Sequence, residues 1–420
     1  MQFVFSLIGM LALLAIAYAC SMNRKAIKPR VVIGAFLIQF LIGAFVLFVP
    51  IGKDVLQYVS MGVNAVLGFS KDGISFLFGG LADNKMFEVF GGGGFVFAIR
   101  VLPVIVFFSA LVSVLYYLGI MQIFIRILGG GLQKVLGTSK FESMSATANI
   151  FVGQTEAPLV IAPFIQHLTR SELFAVMCGG LASIAGTVLG GFAAMGVNME
   201  YLIAASFMAA PGGLLFAKML LPETEDMAEL ESSRHGTGGS SIQVEKPSNV
   251  IDAAADGASK GVSLAINVGG MLLAFIALIA LLNGILGLVG GFVGIEALSL
   301  EMILGYLFSP LAMIIGIPYE EAMTAATFIG QKLVLNEFVA YVNFTEFLSV
   351  NALSERSTAI ITFALCGFAN FSAAAMLLGG LGAMAKERRS EISQLCMYAI
   401  LAGTLSNMMS ATIAGFFLLF

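Results

Sequence analysis

The sequence predicts an all-α polytopic membrane protein, with eight transmembrane helices plus two opposed re-entrant helical hairpins, an inverted repeat and interfacial helices. Three observations carry that prediction. The 420 residues are 59% hydrophobic and 11% charged, with a mean hydropathy of +0.98, whereas a soluble domain carries about 25% charged residues. Several stretches approach or exceed the ~20 apolar residues needed to cross a bilayer. Two further segments, 143–166 and 318–344, are apolar at both ends and polar in the middle. This composition requires a lipid bilayer and excludes a cytosolic enzyme, a nucleic-acid binder and a secreted disulfide scaffold.

In chain order the predicted spans are 3–20, 31–50, 96–118, 172–196, 200–221, 261–288, 357–384 and 392–420. The first resembles a signal peptide, because Ala17-Tyr18-Ala19 precedes Cys20. However, no basic residue precedes its apolar run, and Arg24, Lys25, Lys28 and Arg30 follow it. That reverses signal-peptide polarity and predicts a retained span. Loops 21–30, 119–142, 167–171, 218–260 and 385–391 hold 15 of the 21 Lys and Arg residues. The positive-inside bias makes these loops cytoplasmic and puts both termini outside. Lys53, Lys71, Lys85, Arg100 and Arg356 fall on the opposite side, and Lys332 lies within the second polar-centred segment. The domain plan is 1–95, N-terminal spans with a connecting amphipathic region; 96–221, first repeat; 222–260, a Gly-, Ser- and acid-rich cytoplasmic linker; and 261–420, second repeat. Cys20, Cys178, Cys366 and Cys396 lack metal-ligand spacing and read as buried thiols.

The polar-centred segments are too polar to span and too apolar to be loops. Residues 143–166 surround Gly153-Gln154-Thr155-Glu156-Ala157-Pro158, and residues 318–344 surround Gln331, Lys332, Asn336 and Glu337. Each apolar arm is too short to cross. Pro158 lacks an N–H and Gly153 weakens a helix, so the chain is expected to break and return on the same side, within protein or a water-filled cavity. Phe151-Val152-Gly153-Gln154 matches Phe328-Ile329-Gly330-Gln331 at a spacing of 177 residues. Leu132–Gly137 and Leu311–Gly316 also match, each in a stretch that suits an interfacial helix. Three spans separate the hairpins, so the repeats enter from opposite faces, as in many secondary transporters whose substrate sits near the midplane.

The spans after the hairpins, 172–196 and 357–384, are interrupted by Gly179–Gly186 and Cys366–Ser372. Unwound helices present carbonyls and dipole ends to a ligand, although small residues also permit close helix packing. Charge within a bilayer costs about 2.5–3.5 kcal/mol on insertion scales. Only Glu156, Lys332 and Glu337 stand at the hairpin centres. Together with Gln154, Thr155, Asn336 and Asn370 they form a donor–acceptor set suited to a neutral polyhydroxylated solute. Other readings stay open. The glutamates could bind protons, Lys332 could neutralise a carboxylate, and a channel or an intramembrane enzyme are the competing classes. Neither His167 nor His235 belongs to a metal motif.

The runs Gly153–Leu159, Gly330–Tyr341 (GQKLVLNEFVAY) and Gly367–Ser372, with the Gly91–Gly94 run and the C-terminal TLSNMMSATIAGFF, resemble the concentrative nucleoside transporter family, closest to its bacterial eight-span members. The resemblance implies a homotrimer in a bacterial inner membrane, importing nucleosides such as uridine with sodium by an elevator-like mechanism. It places the nucleobase at Gln154, Thr155, Glu156 and Val188, and the ribose at Glu337 and Asn370, with Phe368 lining the pocket. Sodium falls at Asn149, Val152, Ser183 and Ile184. Family members commonly carry two serines where this chain reads Ser372-Ala373, so the ribose contact of the second serine either passes to Ser372 or water or is lost with some affinity. Some relatives use protons, which leaves proton coupling as the alternative.

Overall fold

The computed structural model describes residues 2–83, 85–90, 95–225, 247–295 and 298–420, which form eighteen α-helices with short 3-10 helices and no strand among them. The Gly91–Gly94 run and linker residues 226–246 lie outside the described residues.

The N-terminal part comprises α1 (Gln2–Ala19), α2 (Pro29–Leu47), α3 (Pro50–Phe78), α4 (Lys85–Phe90), α5 (Phe97–Arg100) and α6 (Leu102–Tyr117). Prolines at the starts of α2, α3 and α6 pre-set φ where no intrahelical N–H is needed. The region read only as connecting and amphipathic is largely α3, a continuous 29-residue helix. Lys53, Asp54, Asn64, Lys71 and Asp72 interrupt its apolar run without breaking the helix.

The first half continues with α7 (Ile120–Leu136), α8 (Lys140–Ala148), a 3-10 helix (Ala157–His167), α9 (Arg170–Ala182), α10 (Gly186–Ala194) and α11 (Met199–Leu220). The second half comprises α12 (Val250–Val293), α13 (Leu300–Ile314), α14 (Tyr319–Val334), α15 (Glu337–Val350), α16 (Glu355–Leu365), α17 (Phe371–Met384) and α18 (Arg389–Phe417). The predicted interfacial stretches fall on α7 and α13. The predicted 143–166 segment is α8 plus the 3-10 helix, and 318–344 lies in α14 and α15.

Among the described residues, six helices are long and apolar enough to cross a membrane: Pro29–Leu47, Phe97–Tyr117, Arg170–Ala194, Met199–Leu220, Val250–Phe292 and Lys386–Phe417. The pair α13–α14, bent by 115°, would add a seventh. The predicted spans 3–20 and 357–384 do not reach this length as continuous helices. The apolar part of α1 is Phe3–Ala19, and the other is divided between α16 and α17 at Cys366–Asn370.

Helix α12 starts at Val250, before the predicted 261–288 span. Asn249 caps it by accepting the Asp252 N–H at 2.9 Å, and Asp256 and Lys260 pair one turn apart. These charges make the stretch look like loop by composition, yet an N-cap and an i,i+4 pair suit a helix.

The four-residue match between the segments joins unlike places. Phe151–Gln154 occupies the break after α8, whereas Phe328–Gln331 lies inside α14, whose break comes later at Leu335 and Asn336. Tertiary packing, not that local sequence, sets where each segment unwinds. One thiol expectation also changes. Cys178 and Cys366 are buried, but Cys396 is half-buried and Cys20 is exposed, because Cys20 sits beyond the end of α1.

Helices α9, α10, α11 and the C-terminal two thirds of α18 are almost wholly buried, while α12 is largely exposed apart from a face with Ala253, Ala265, Val268 and Leu272, and packs along α6. The buried bundle is closed at one end by Lys218 of α11. Its Nζ lies 2.5 Å from Glu142 Oε2 and donates to Ser171 Oγ at 2.9 Å. Glu142 belongs to the capping box of α8, and Ser171 lies within the Thr169–Glu172 capping box of α9. Lys218 thus ties together the two ends of the first polar-centred segment. Lys218→Met is expected to destabilise the purified protein by about 3–5 kcal/mol by leaving Glu142 buried and unpaired. Adding Glu142→Gln should recover part of that loss, and thermal unfolding of both variants in detergent checks it.

Candidate functional site

Two helix breaks and two polar-centred segments meet around the buried bundle. In the first half, α8 ends at Asn149, whose Nδ2 donates to Ser145 O at 2.9 Å. The buried Asn149 Oδ1 and Gln154 Oε1 have no hydrogen-bond partner. The segment tip packs on the glycines of α9. A Cβ at Gly180 would lie 2.8 Å from Gln154 Cβ, and one at Gly179 would lie 3.4 Å from Asn149 Nδ2. At the break between α9 and α10, the Gly186 N–H donates to Phe151 O at 3.2 Å, and a Cβ there would lie 2.5 Å from the same oxygen. These glycines serve close approach. Ser183 and Ile184 form the unwound turn, both buried, and Ser183 Oγ donates to Gly179 O at 2.9 Å.

In the second half, the asparagines predicted as site residues are helix N-caps. Asn336 Oδ1 accepts the Val339 N–H at 2.9 Å and starts α15, while its buried Nδ2 is unpartnered. Asn370 Oδ1 accepts the Ala373 N–H and the Ser372 hydroxyl, each at 2.8 Å, and starts α17. Asn370 Nδ2 donates to Glu337 Oε2 at 2.7 Å. Glu337 is the first residue of α15, where the positive end of the helix dipole favours a carboxylate.

Direct bonds therefore join Glu337, Asn370 and Ser372. Lys332 is fully buried in the last turn of α14, but its Nζ donates to Ala364 O at 3.0 Å and Asn407 Oδ1 at 2.6 Å rather than to a carboxylate. Glu156 occupies the N-cap position of the 3-10 helix without a side-chain capping bond, and its carboxylate accepts the Gly153 N–H at 3.4 Å. Thr155 is exposed and lies against Gly380, where a Cβ would meet its Cγ2 at 2.9 Å. Val152, Val188 and Phe368 are buried.

The halves are linked at three places. The Phe368 N–H donates to Ser183 O at 3.1 Å, joining the two helix breaks. Phe192 of α10, one turn beyond Val188, meets the rings of Phe338 and Tyr341 of α15 at 4.8 and 4.6 Å. Asn407 of α18 donates from Nδ2 to Ala182 O at 2.6 Å and to Cys366 O at 2.9 Å. Sequence reasoning missed Phe192, Tyr341 and Asn407. For Asn407 a signal existed, a lone carboxamide inside an apolar span, the same criterion that singled out Asn370.

Residues 8–81, 98–199 and 201–415 match the family descriptions "Na+ dependent nucleoside transporter N-terminus", "Nucleoside recognition" and "Na+ dependent nucleoside transporter C-terminus". The chain belongs to the concentrative nucleoside transporter family. It is similar to the nucleoside permease NupC of Helicobacter pylori, at 53% identity over 99% of this chain and 98% of the relative. A solved structure of CNTnw in an inward-facing substrate-bound state superposes with a TM-score of 0.94 at 58% identity, covering 99% of this chain and 98% of that one. A substituted variant of the same protein in an outward-facing state gives 0.95 at 58% identity, covering 100% and 98%. A nucleoside transporter of this family is a membrane carrier, not an enzyme, and sodium is its co-transported ion.

The first break could hold a hard cation, since the unpartnered Asn149 Oδ1 lies 3.8 Å from where a Cβ on Gly180 would stand, one turn before the unwound backbone at Ser183 and Ile184. Asn370→Ala removes both the cap of α17 and a donor to Glu337. The expected loss is about 2–4 kcal/mol, against about 0.5–1.5 kcal/mol for Ser372→Ala. Thermal unfolding of the two variants checks this, and equal losses would contradict the network.

Proposed function

We infer that this chain is a sodium-coupled nucleoside symporter, importing nucleosides by alternating access with an elevator-like movement. The observation that carries the reading is the Glu337–Asn370–Ser372 network, in which a buried carboxylate and a carboxamide from two different segments converge. Vicinal ribose hydroxyls, each donor and acceptor, match a carboxylate beside an amide. Glu156, Gln154 and Thr155 lie on the other polar segment and take the nucleobase, with Val188 and Phe368 as apolar walls. Ser372 supplies the hydroxyl where Ala373 has none. Asn149, Val152, Ser183 and Ile184 hold sodium, largely through backbone carbonyls and the Asn149 side chain. Sodium binding there stiffens the break on which the nucleobase residues rest, so the ion precedes and strengthens nucleoside binding.

The same reading treats α8 with its 3-10 helix, and α14 with α15, as opposed re-entrant hairpins. It puts both termini outside a bacterial inner membrane and assembles the chain as a homotrimer, for which the long exposed α12 offers an apolar face.

Two experiments test it. Glu337→Gln keeps the shape but removes the charge-assisted bond, so uridine affinity should fall about 10–100-fold, with sodium binding retained. Unchanged uridine uptake by that variant would sink the ribose assignment. In proteoliposomes, an imposed sodium gradient alone should drive uridine accumulation. Accumulation driven solely by a proton gradient would replace sodium coupling with proton coupling.

A further inference from the structure

The carbonyls ending two half-helices are held by one side chain. Ala182 is the last residue of α9, directly before the Ser183-Ile184 turn, and Cys366 follows the last residue of α16 and opens the Cys366–Asn370 break. Asn407 Nδ2 donates to both carbonyls, at 2.6 and 2.9 Å, and its Oδ1 accepts from Lys332 Nζ at 2.6 Å. The amide is 2% exposed and the ammonium is fully buried. Each of Asn407's polar atoms is therefore committed, and α9 of the first half shares it with α14 and α16 of the second.

The backbone is shaped around this clasp. A Cβ at Gly367 would collide with the Asn407 carboxamide. One turn earlier on the same face of α18, a Cβ at Gly403 would lie 3.0 Å from both Ala369 Cβ and the Leu181 carbonyl carbon. Helix α18 thus presents Gly403 and Asn407 to both breaks at once.

Resting on the sodium-symport reading above, we propose that Asn407 is the positioning residue that couples the ion site to the nucleoside site. An ion drawing in the carbonyls after Ala182 fixes that turn, the shared amide holds Cys366 in register with it, and the Phe368–Asn370 turn is set for ribose. The ion and the nucleoside then favour one arrangement of a single hydrogen-bonded unit. Linkage requires the effect to be reciprocal.

The test titrates uridine into purified protein by calorimetry, in saturating sodium and with choline replacing sodium, and reads the ratio of the two dissociation constants. For Asn407→Ala the ratio should shrink toward one by about fivefold or more, the lower range of allosteric couplings. Asn407→Asp keeps an acceptor for Lys332 but loses both donations, and should shrink it likewise. Ser406→Ala, a neighbour outside the clasp, should keep the wild-type ratio. Where Asn407→Ala does not fold, Asn407→Ser carries the same expectation. A folded Asn407 variant with reduced thermal stability but a wild-type ratio would overturn the proposal, because stability alone would then be its role. Wild-type protein whose uridine affinity ignores sodium would instead overturn the symport reading, and the coupling proposal with it.

Discussion

Unwinding a helix inside an apolar bundle exposes N–H and C=O groups that water cannot reach, and each must find a partner within the protein. The breaks after Ala182 and Leu365 meet that constraint from one neighbouring helix and from each other. Asn407 takes the carbonyls of Ala182 and Cys366, and the Phe368 N–H takes Ser183 O. The same requirement explains Lys332. A cation with no carboxylate bonded to it would be costly in this setting, but its ammonium sits at the C-terminal end of α16, donating to Ala364 O. The negative end of a helix dipole is a favourable place for positive charge. The lysine and the broken helix thus offset one another.

The opposite helix ends hold the acidic side of the site. Asn336 and Asn370 cap α15 and α17, and Glu337 stands at the positive end of α15. Rotamers locked by capping bonds leave the recognising groups little freedom to lose when a ligand arrives, and this is the physical content of preorganisation. Bulky packing completes the frame. The Phe192, Phe338 and Tyr341 rings wedge α10 against α15, and Tyr341 donates to Thr362 O at 2.8 Å.

The all-helical membrane character was legible because apolar run length is a local property, and Glu337 and Asn370 were legible because charge and amides are costly in such runs. What escaped was whatever depends on partners far along the chain. The helical start of α12 was hidden by Asp252, Asp256 and Lys260, which a cap and a same-face pair accommodate. The match of Phe151–Gln154 with Phe328–Gln331 did not reveal local conformation, because these near-identical runs lie in a turn in one case and a helix in the other. Lys218 read as a loop charge near a span end, yet it is the buried partner of Glu142, a pairing 76 positions apart that no periodicity could signal.

The double duty of Asn370 has a consequence for inhibition. One carboxamide starts α17 through the Ala373 N–H and also orients Glu337. A nucleoside-like compound that binds through Asn370 would engage a position where an escape substitution also uncaps a helix. Resistance by change at that residue would carry its own folding defect, whereas Val188 or Thr155, which bear no cap, leave the architecture free to vary.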